Sequence, residues 1–181
     1  MIQIIDNIIP EYLQNHLEDL ITSKDQNNPF PLYFTGNLTG HTPNNNEIGF
    51  GSDFLMPDAV HPMGGSLLSP LYMFLNSQKL LVKNVIRGRV YFQLPLRGNE
   101  KPTPQSPHTD LKFPHYGLIY YVTDSDGDTI FYNDQKEEIK RVSPKKGRIL
   151  FFDGRIKHSG SNCTKNMRII FNYNFTLYEN K

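Results

Sequence analysis

The spacing at which apolar residues recur changes near residue 85, and that change limits the fold more than any other property of the chain. Before it, the spacing is helical. In 10–22, Leu13, Leu17, Leu20 and Ile21 fall on one helix face, Pro10 suits a first turn, and Asp25-Gln26-Asn27-Asn28-Pro29 ends the pattern. Residues 66–82 carry Leu67, Leu68, Leu71, Phe74, Leu75, Leu80 and Leu81, which predicts a second, more buried helix with Pro70 tolerated only near its start. After residue 85 the period is two. In 87–94, Arg87, Arg89, Tyr91 and Gln93 share one face of a strand while Val90, Phe92 and Leu94 share the other. Further strands are predicted at 118–122, 129–132, 148–152 and 167–178, separated by turn signals such as Asp124-Ser125-Asp126-Gly127, Asn133-Asp134 and Lys145-Lys146-Gly147. Helices followed by a run of short strands predict an α+β fold: a double-stranded β-helix (jelly-roll) core at about 85–178, with N-terminal helices from about 1–84 packed on one sheet.

The length, 181 residues, suits one domain spanning 1–181, long enough to bury a core and short for two. A formal net charge of +1 supplies no global field, which argues against nucleic acid and anionic membranes as partners. The single cysteine, Cys163, excludes an internal disulfide framework and a Cys-rich zinc site, and fits a reducing compartment such as the cytoplasm. No basic n-region with an apolar h-region opens the chain, and no apolar run approaches membrane-spanning length, so a soluble protein is expected. Residues 36–52 are polar and turn-rich and predict either a surface loop or a cover for a site.

Chemistry concentrates in the C-terminal half. His108-Thr109-Asp110 follows the Pro-rich connection 99–107, and on an extended segment its imidazole and carboxylate project to one side, as two ligands of one metal must. Alone, such a pair equally fits a hydrogen-bonded turn. Farther on, a strand at 148–152 ends in Asp153-Gly154, a short loop carries His158, and Arg168 opens the last strand. Two imidazoles and one carboxylate form the facial set that holds Fe(II) with positions left open, so His108, Asp110 and His158 are the candidate ligands. Arg168 lies with Asn172, Asn174 and Thr176 on the polar face of a strand whose other face is apolar. Its guanidinium points either into a polar interior or onto solvent; buried, an unpaired cation is costly, and a dicarboxylate would pair with it through a bidentate fork.

The ordered set His108-Thr109-Asp110, Ile119-Tyr120-Tyr121, Gly127-Asp128-Thr129-Ile130-Phe131, Val142-Ser143-Pro144, Gly147-Arg148-Ile149-Leu150-Phe151-Phe152, His158 and Arg168 resembles the Fe(II)- and 2-oxoglutarate-dependent dioxygenases, and within them the prolyl 4-hydroxylase-like group. The resemblance covers about 85–178. It implies Fe(II) held by His108, Asp110 and His158, 2-oxoglutarate as cosubstrate with its distal carboxylate on Arg168, and O2, with ascorbate as a compatible reductant. It matches Tyr121 to a hydroxyl donor for that carboxylate, Asn172 to an amide partner, and Tyr91 to a polar residue near the keto-acid end. The implied reaction hydroxylates an unactivated C–H bond and yields succinate and CO2, with a protein or peptide residue such as proline as substrate. Asp128 departs from the pattern, standing where many relatives have a second glycine.

Blander readings accompany the other candidates. His16, His41 and His61 read as surface histidines, and His115 as a loop residue beside Pro114. Lys140, Arg141, Lys145, Lys146 and Arg148 read as a solvated hairpin flank. A jelly-roll of this kind also suits a non-catalytic, cupin-like metal or small-molecule binding protein, or a zinc hydrolase; a buried Arg168 separates the oxygenase from both.

Overall fold

The computed structural model describes residues 1–22, 29–35, 49–96 and 101–178. In chain order these form β1 (Ile2–Ile5), α1 (Glu11–Thr22), β2 (Tyr33–Thr35), β3 (Gly49–Met56), β4 (Ala59–Val60), α2 (Gly64–Leu67), α3 (Ser69–Ser77), β5 (Val82–Gln93), β6 (Tyr116–Tyr121), β7 (Thr129–Tyr132), β8 (Glu138–Val142), β9 (Ile149–Asp153), β10 (Lys157–Gly160) and β11 (Arg168–Leu177). The strands pair into a larger antiparallel sheet in the order β1-β9-β6-β11-β5-β3-β2, with β4 on β3, and a smaller one in the order β10-β7-β8. Isolated bridges from Pro104 to Ser161 and from His108 to His158 lay the segment before β6 along the free side of β10, in effect a fourth strand of the smaller sheet.

Strand β11, central in the larger sheet, divides the core in two. Ile169, Phe171, Tyr173 and Phe175 join one apolar cluster with Leu17 and Ile21 of α1, Leu67 of α2, and Leu71 and Phe74 of α3. Phe74 lies 4.8 Å from Phe151 between ring centroids, and the Tyr173 hydroxyl donates to the Leu67 carbonyl at 2.6 Å. On the opposite face Ile170, with Ile119, Tyr121, Leu150 and Phe152, meets Phe131 and Val142 of the smaller sheet. Burying each of these large side chains contributes about 1.5–3 kcal/mol, so two such layers fix the separation of the sheets. Polar residues of β11 and β5 on that second face therefore look into the gap between the sheets.

Several elements differ from the sequence reading. The helix expected over 66–82 is two short helices: Pro70 sits in the first turn of α3, where its missing N–H starts a helix and cannot continue one. Lys79 adopts φ 55°, the Lys79 and Leu80 amides donate to the Asn76 and Leu75 carbonyls, and the chain turns into β5 at Val82. Before residue 85 the chain also supplies β1 to β4, so the N-terminal part is not purely helical. Of the segment 36–52, residues 49–52 are strand, while 36–48 lie outside the described residues. His158 stands on β10, in a strand and not in a loop.

Candidate metal centre and ligand pocket

The two imidazoles are brought together by backbone pairing. The His108 amide donates to the His158 carbonyl and the His158 amide to the His108 carbonyl, both at 2.9 Å. Residues exchanging both bonds in an antiparallel pair stand directly opposite with side chains on one face. The rings accordingly lie 4.9 Å apart between centroids. Each ring is also turned by its own chain: His108 Nδ1 contacts the Ser106 carbonyl and His158 Nδ1 the Ile156 carbonyl, both at 3.1 Å. A carbonyl only accepts, so each Nδ1 carries a proton and each Nε2 is the nitrogen turned to the centre for a metal. Asp110 follows in a bend, its Oδ2 3.7 Å from His158 Nε2. One ligand atom from each of His108, Asp110 and His158 lies within 4.8 Å of the other two.

The Asp110 carboxylate is held by polar side chains of the larger sheet. The Asn172 amide reaches both of its oxygens at 3.3 and 3.2 Å, Asn174 donates to Oδ2 at 2.9 Å, and an Arg87 nitrogen lies 3.4 Å from Oδ1. Burial pushes the Asp110 carboxyl up, but His158, His108, the Asn174 amide and Arg87 outweigh it and hold the group well below the usual carboxylate range. It is therefore ionised. Two imidazole nitrogens and a carboxylate oxygen suit a divalent first-row ion that keeps positions open. Asn172 Oδ1 is buried and has no partner among the described residues, so an acceptor remains beside the triad for a bound ligand's proton.

A cavity of about 80 Å³ joins this centre to Arg168; His108, Asp110 and His158 line it together with Arg168, Thr129 and Tyr91. Arg168 opens β11 and is 5 % exposed. Its Nη2 donates to the Thr129 hydroxyl at 2.9 Å, and the Tyr121 hydroxyl donates to the same oxygen at 2.7 Å. Thr129 thus accepts twice, leaving its own proton free. Arg168 Nε is buried without a partner among the described residues, and burial lowers the guanidinium's pKa by more than its neighbours Tyr121, Cys163 and Asp128 raise it. Such a cation calls for an anion.

The structure thus brings His108, Asp110, His158 and Arg168 to one pocket and reassigns the supporting residues. Tyr121 meets the pocket's Arg168 in two ways, through Thr129, which the sequence reading quoted in a motif without a role, and through its ring, whose centroid lies 5.9 Å from the guanidinium carbon. Asn172 lines the pocket beside Asp110, on whose carboxylate its amide nitrogen rests, while its Oδ1 is without a partner among the described residues. Tyr91 lines the pocket and its hydroxyl accepts from Arg89 at 2.9 Å, while Arg89 also pairs with Asp53 of β3. Arg87 and Gln93 are pocket residues that the reading placed on a common strand face with Tyr91 without giving them a task. The period-two pattern was the signal that could have found them.

The other candidates lie elsewhere. His115 is buried with Nδ1 2.8 Å from the Phe113 carbonyl, and His61 Nδ1 accepts from the Met63 amide at 3.2 Å. Lys146 pairs with Glu18 of α1 and Arg148 with Asp6, so the basic flank ties the N-terminal segment to the sheet. The Cys163 thiol is buried on the Gln93 carbonyl, which keeps it from acting as a thiolate. His41 lies outside the described residues.

No protein-family model matches the sequence, and neither does any curated protein. Solved structures do match. A prolyl 4-hydroxylase from Pseudomonas putida is 14 % identical, with TM-score 0.67 over 97 % of this chain and 92 % of that one. A prolyl hydroxylase from Trichoplax adhaerens, in complex with a hypoxia-inducible-factor oxygen degradation domain peptide fragment, is 14 % identical, with TM-score 0.68 over 97 % and 83 %. The viral collagen prolyl hydroxylase of Paramecium bursaria Chlorella virus-1, as its 2-oxoglutarate complex, is 17 % identical, with TM-score 0.61 over 96 % and 94 %. Two antiparallel sheets enclosing a His-Asp-His centre, together with structural similarity over nearly the whole chain, give this protein the jelly-roll fold of the prolyl hydroxylases and other 2-oxoglutarate–Fe(II) oxygenases.

Proposed function

We propose that the chain is an Fe(II)- and 2-oxoglutarate-dependent oxygenase, a single catalytic domain that hydroxylates an unactivated C–H bond and releases succinate and CO2. One observation carries this reading: a ready ligand triad and a buried, anion-seeking arginine occupy the two ends of one pocket. His108, Asp110 and His158 would hold the ferrous ion, and Arg168 with the Thr129 hydroxyl would take the distal carboxylate of the diacid. Bound together, metal, 2-oxoglutarate and dioxygen supply the oxidising power that no protein side chain has. The chain's residues do the rest. The Ser106 and Ile156 carbonyls orient both rings with Nε2 toward the metal, the guanidinium fixes one end of the cosubstrate so that the other meets the metal, and Ile119 and Ile170 keep the pocket wall dry.

A residue of a protein or peptide, such as proline, is the substrate class we favour. Beyond Arg89 and Tyr91, which line the pocket, the surface continues into a groove edged by Tyr33, Phe34, Asp53 and His61. Tyr33 and Phe34 are each 67 % exposed, and such aromatic faces suit an extended chain. The peptide bound to the Trichoplax enzyme supports the same class.

Anaerobic addition of Fe(II) and 2-oxoglutarate to the wild-type protein tests the reading. The expected result is the weak visible charge-transfer band of the chelate, followed in air by uncoupled succinate formation. In Arg168→Ala the 2-oxoglutarate requirement should rise by about 100-fold or more, the loss of a charge-assisted fork. Absence of both band and succinate from the wild-type protein overturns the oxygenase reading. A mass-spectrometric search for +16 Da products among peptides tests the substrate class.

A further inference from the structure

The three candidate ligands are not anchored alike. His108 and His158 are fixed twice, by a reciprocal backbone pair and by carbonyls on their Nδ1 atoms. Asp110 lies in a bend, outside every strand, so no ladder sets the direction of its carboxylate. What sets it is polar side chains reaching across from the larger sheet. Arg87 on β5 and Asn174 on β11 are cross-strand partners in register. Arg87 Nε donates to Asn174 Oδ1 at 3.0 Å, which turns the Asn174 amide so that its Nδ2 donates to Asp110 Oδ2 at 2.9 Å. Arg87 Nη2 meanwhile lies 3.4 Å from the other oxygen, Oδ1. The ring of contacts is closed and dry, with side-chain exposures of 14 % for Arg87 and 7 % for Asp110.

We propose that Arg87 is a positioning residue that holds Asp110 as a one-oxygen metal ligand. Arg87 engages Oδ1 directly and, by orienting Asn174 with its Nε, holds Oδ2 as well, so the carboxylate plane is fixed with Oδ2, 3.7 Å from His158 Nε2, as the oxygen turned to the imidazoles. A carboxylate free to rotate can chelate through both oxygens and take a position that the cosubstrate or dioxygen needs; one whose plane is held at both oxygens by Arg87 and Asn174 cannot turn to do so. A planar guanidinium is suited to this, since it serves two acceptors at fixed angles, which an ammonium does not. The inference rests on the metal reading above.

The test uses Co(II) as a spectroscopic substitute and compares the wild-type protein with Arg87→Met, Arg87→Lys and Asn174→Ala. Wild-type protein should bind Co(II), and its metal-minus-apo infrared difference spectrum should show the wide separation of carboxylate stretches that one-oxygen ligation gives. Arg87→Met should weaken Co(II) binding by about 10- to 100-fold, the range for groups that orient a ligand, and narrow that separation. Arg87→Lys should recover part of the affinity and not the wild-type spectrum, and Asn174→Ala should shift both readouts in the direction of Arg87→Met. If Arg87→Met fails to fold, the other two variants decide. Wild-type affinity and an unchanged infrared separation in the folded variants overturn the role of Arg87 while leaving the metal reading intact; a wild-type protein that binds no Co(II) overturns the metal reading and this inference with it.

Discussion

Thr129 shows how a residue with little chemistry of its own joins two that have much. Its hydroxyl oxygen receives the Tyr121 hydroxyl and an Arg168 nitrogen, and its side chain lines the pocket. Replacing it with valine keeps the shape and removes the oxygen, leaving the Tyr121 hydroxyl and the Arg168 Nη2 without their shared acceptor. Thr129→Val is expected to raise the KM for 2-oxoglutarate about tenfold with kcat less affected, and to lower stability by about 1–3 kcal/mol, the cost of orphaning buried polar groups. Steady-state kinetics and urea unfolding measure the two effects. At this scale the sequence was partly legible. His108 and Asp110 stand out because two-residue spacing places them on one side locally, and Arg168 because a cation on a strand face in an apolar run demands a reason. Thr129 and Asn172 were named or matched without their true contacts, because the Thr129–Arg168 and Asn172–Asp110 meetings join residues far apart in sequence and no local pattern encodes them.

Element boundaries were legible where backbone chemistry is local and obscure where pairing decides. The start of α1 after Pro10 is local: the Leu13 and Gln14 amides donate to the Pro10 carbonyl, and Glu11 complements the positive end of the helix. Strand β3, by contrast, begins Gly-Phe-Gly-Ser, a composition that reads as loop, and is extended because β2 and β5 pair with it on both sides. His158 belongs to a strand for the same reason, as β10 exists through its pairing with β7. The end of α3 offers a test. Lys79 takes the left-handed conformation that closes the helix, at a cost of roughly 1–2 kcal/mol for a residue with a Cβ. Lys79→Gly removes that cost while adding some unfolded-state freedom, and is expected to raise stability by about 0.5–1 kcal/mol, seen as a higher Tm with unchanged metal binding.

Across the whole molecule, the N-terminal segment is clamped to the sheets by charge as well as by apolar burial. Arg148, just before β9, donates to both oxygens of Asp6 at 2.8 and 2.9 Å, and to the Ser143 carbonyl. The Arg148 hydrogen bond holds the Asp6 carboxyl below its ordinary value. A depressed carboxyl stabilises the fold above its unfolded pKa, near 4, and that contribution is lost as pH falls through the lower native value. Asp6→Asn is therefore expected to cost up to about 1 kcal/mol at pH 7, the scale of a partly exposed pair, and less at pH 2. Urea unfolding of both proteins at the two pH values measures the difference. The division into helices and a strand-rich core was legible in the change of hydrophobic period, whereas strand order was not, since β11 lies between β5 and β6 through contacts that span much of the chain.

The reciprocal hydrogen bonds between His108 and His158 make the metal centre a matter of parity. Inserting one residue between Pro104 and His108 would let the strands slide by a step and preserve the number of backbone bonds, yet it would send one imidazole to the outside of the sheet. The resulting protein would keep its larger sheet and lose the convergence of its ligands.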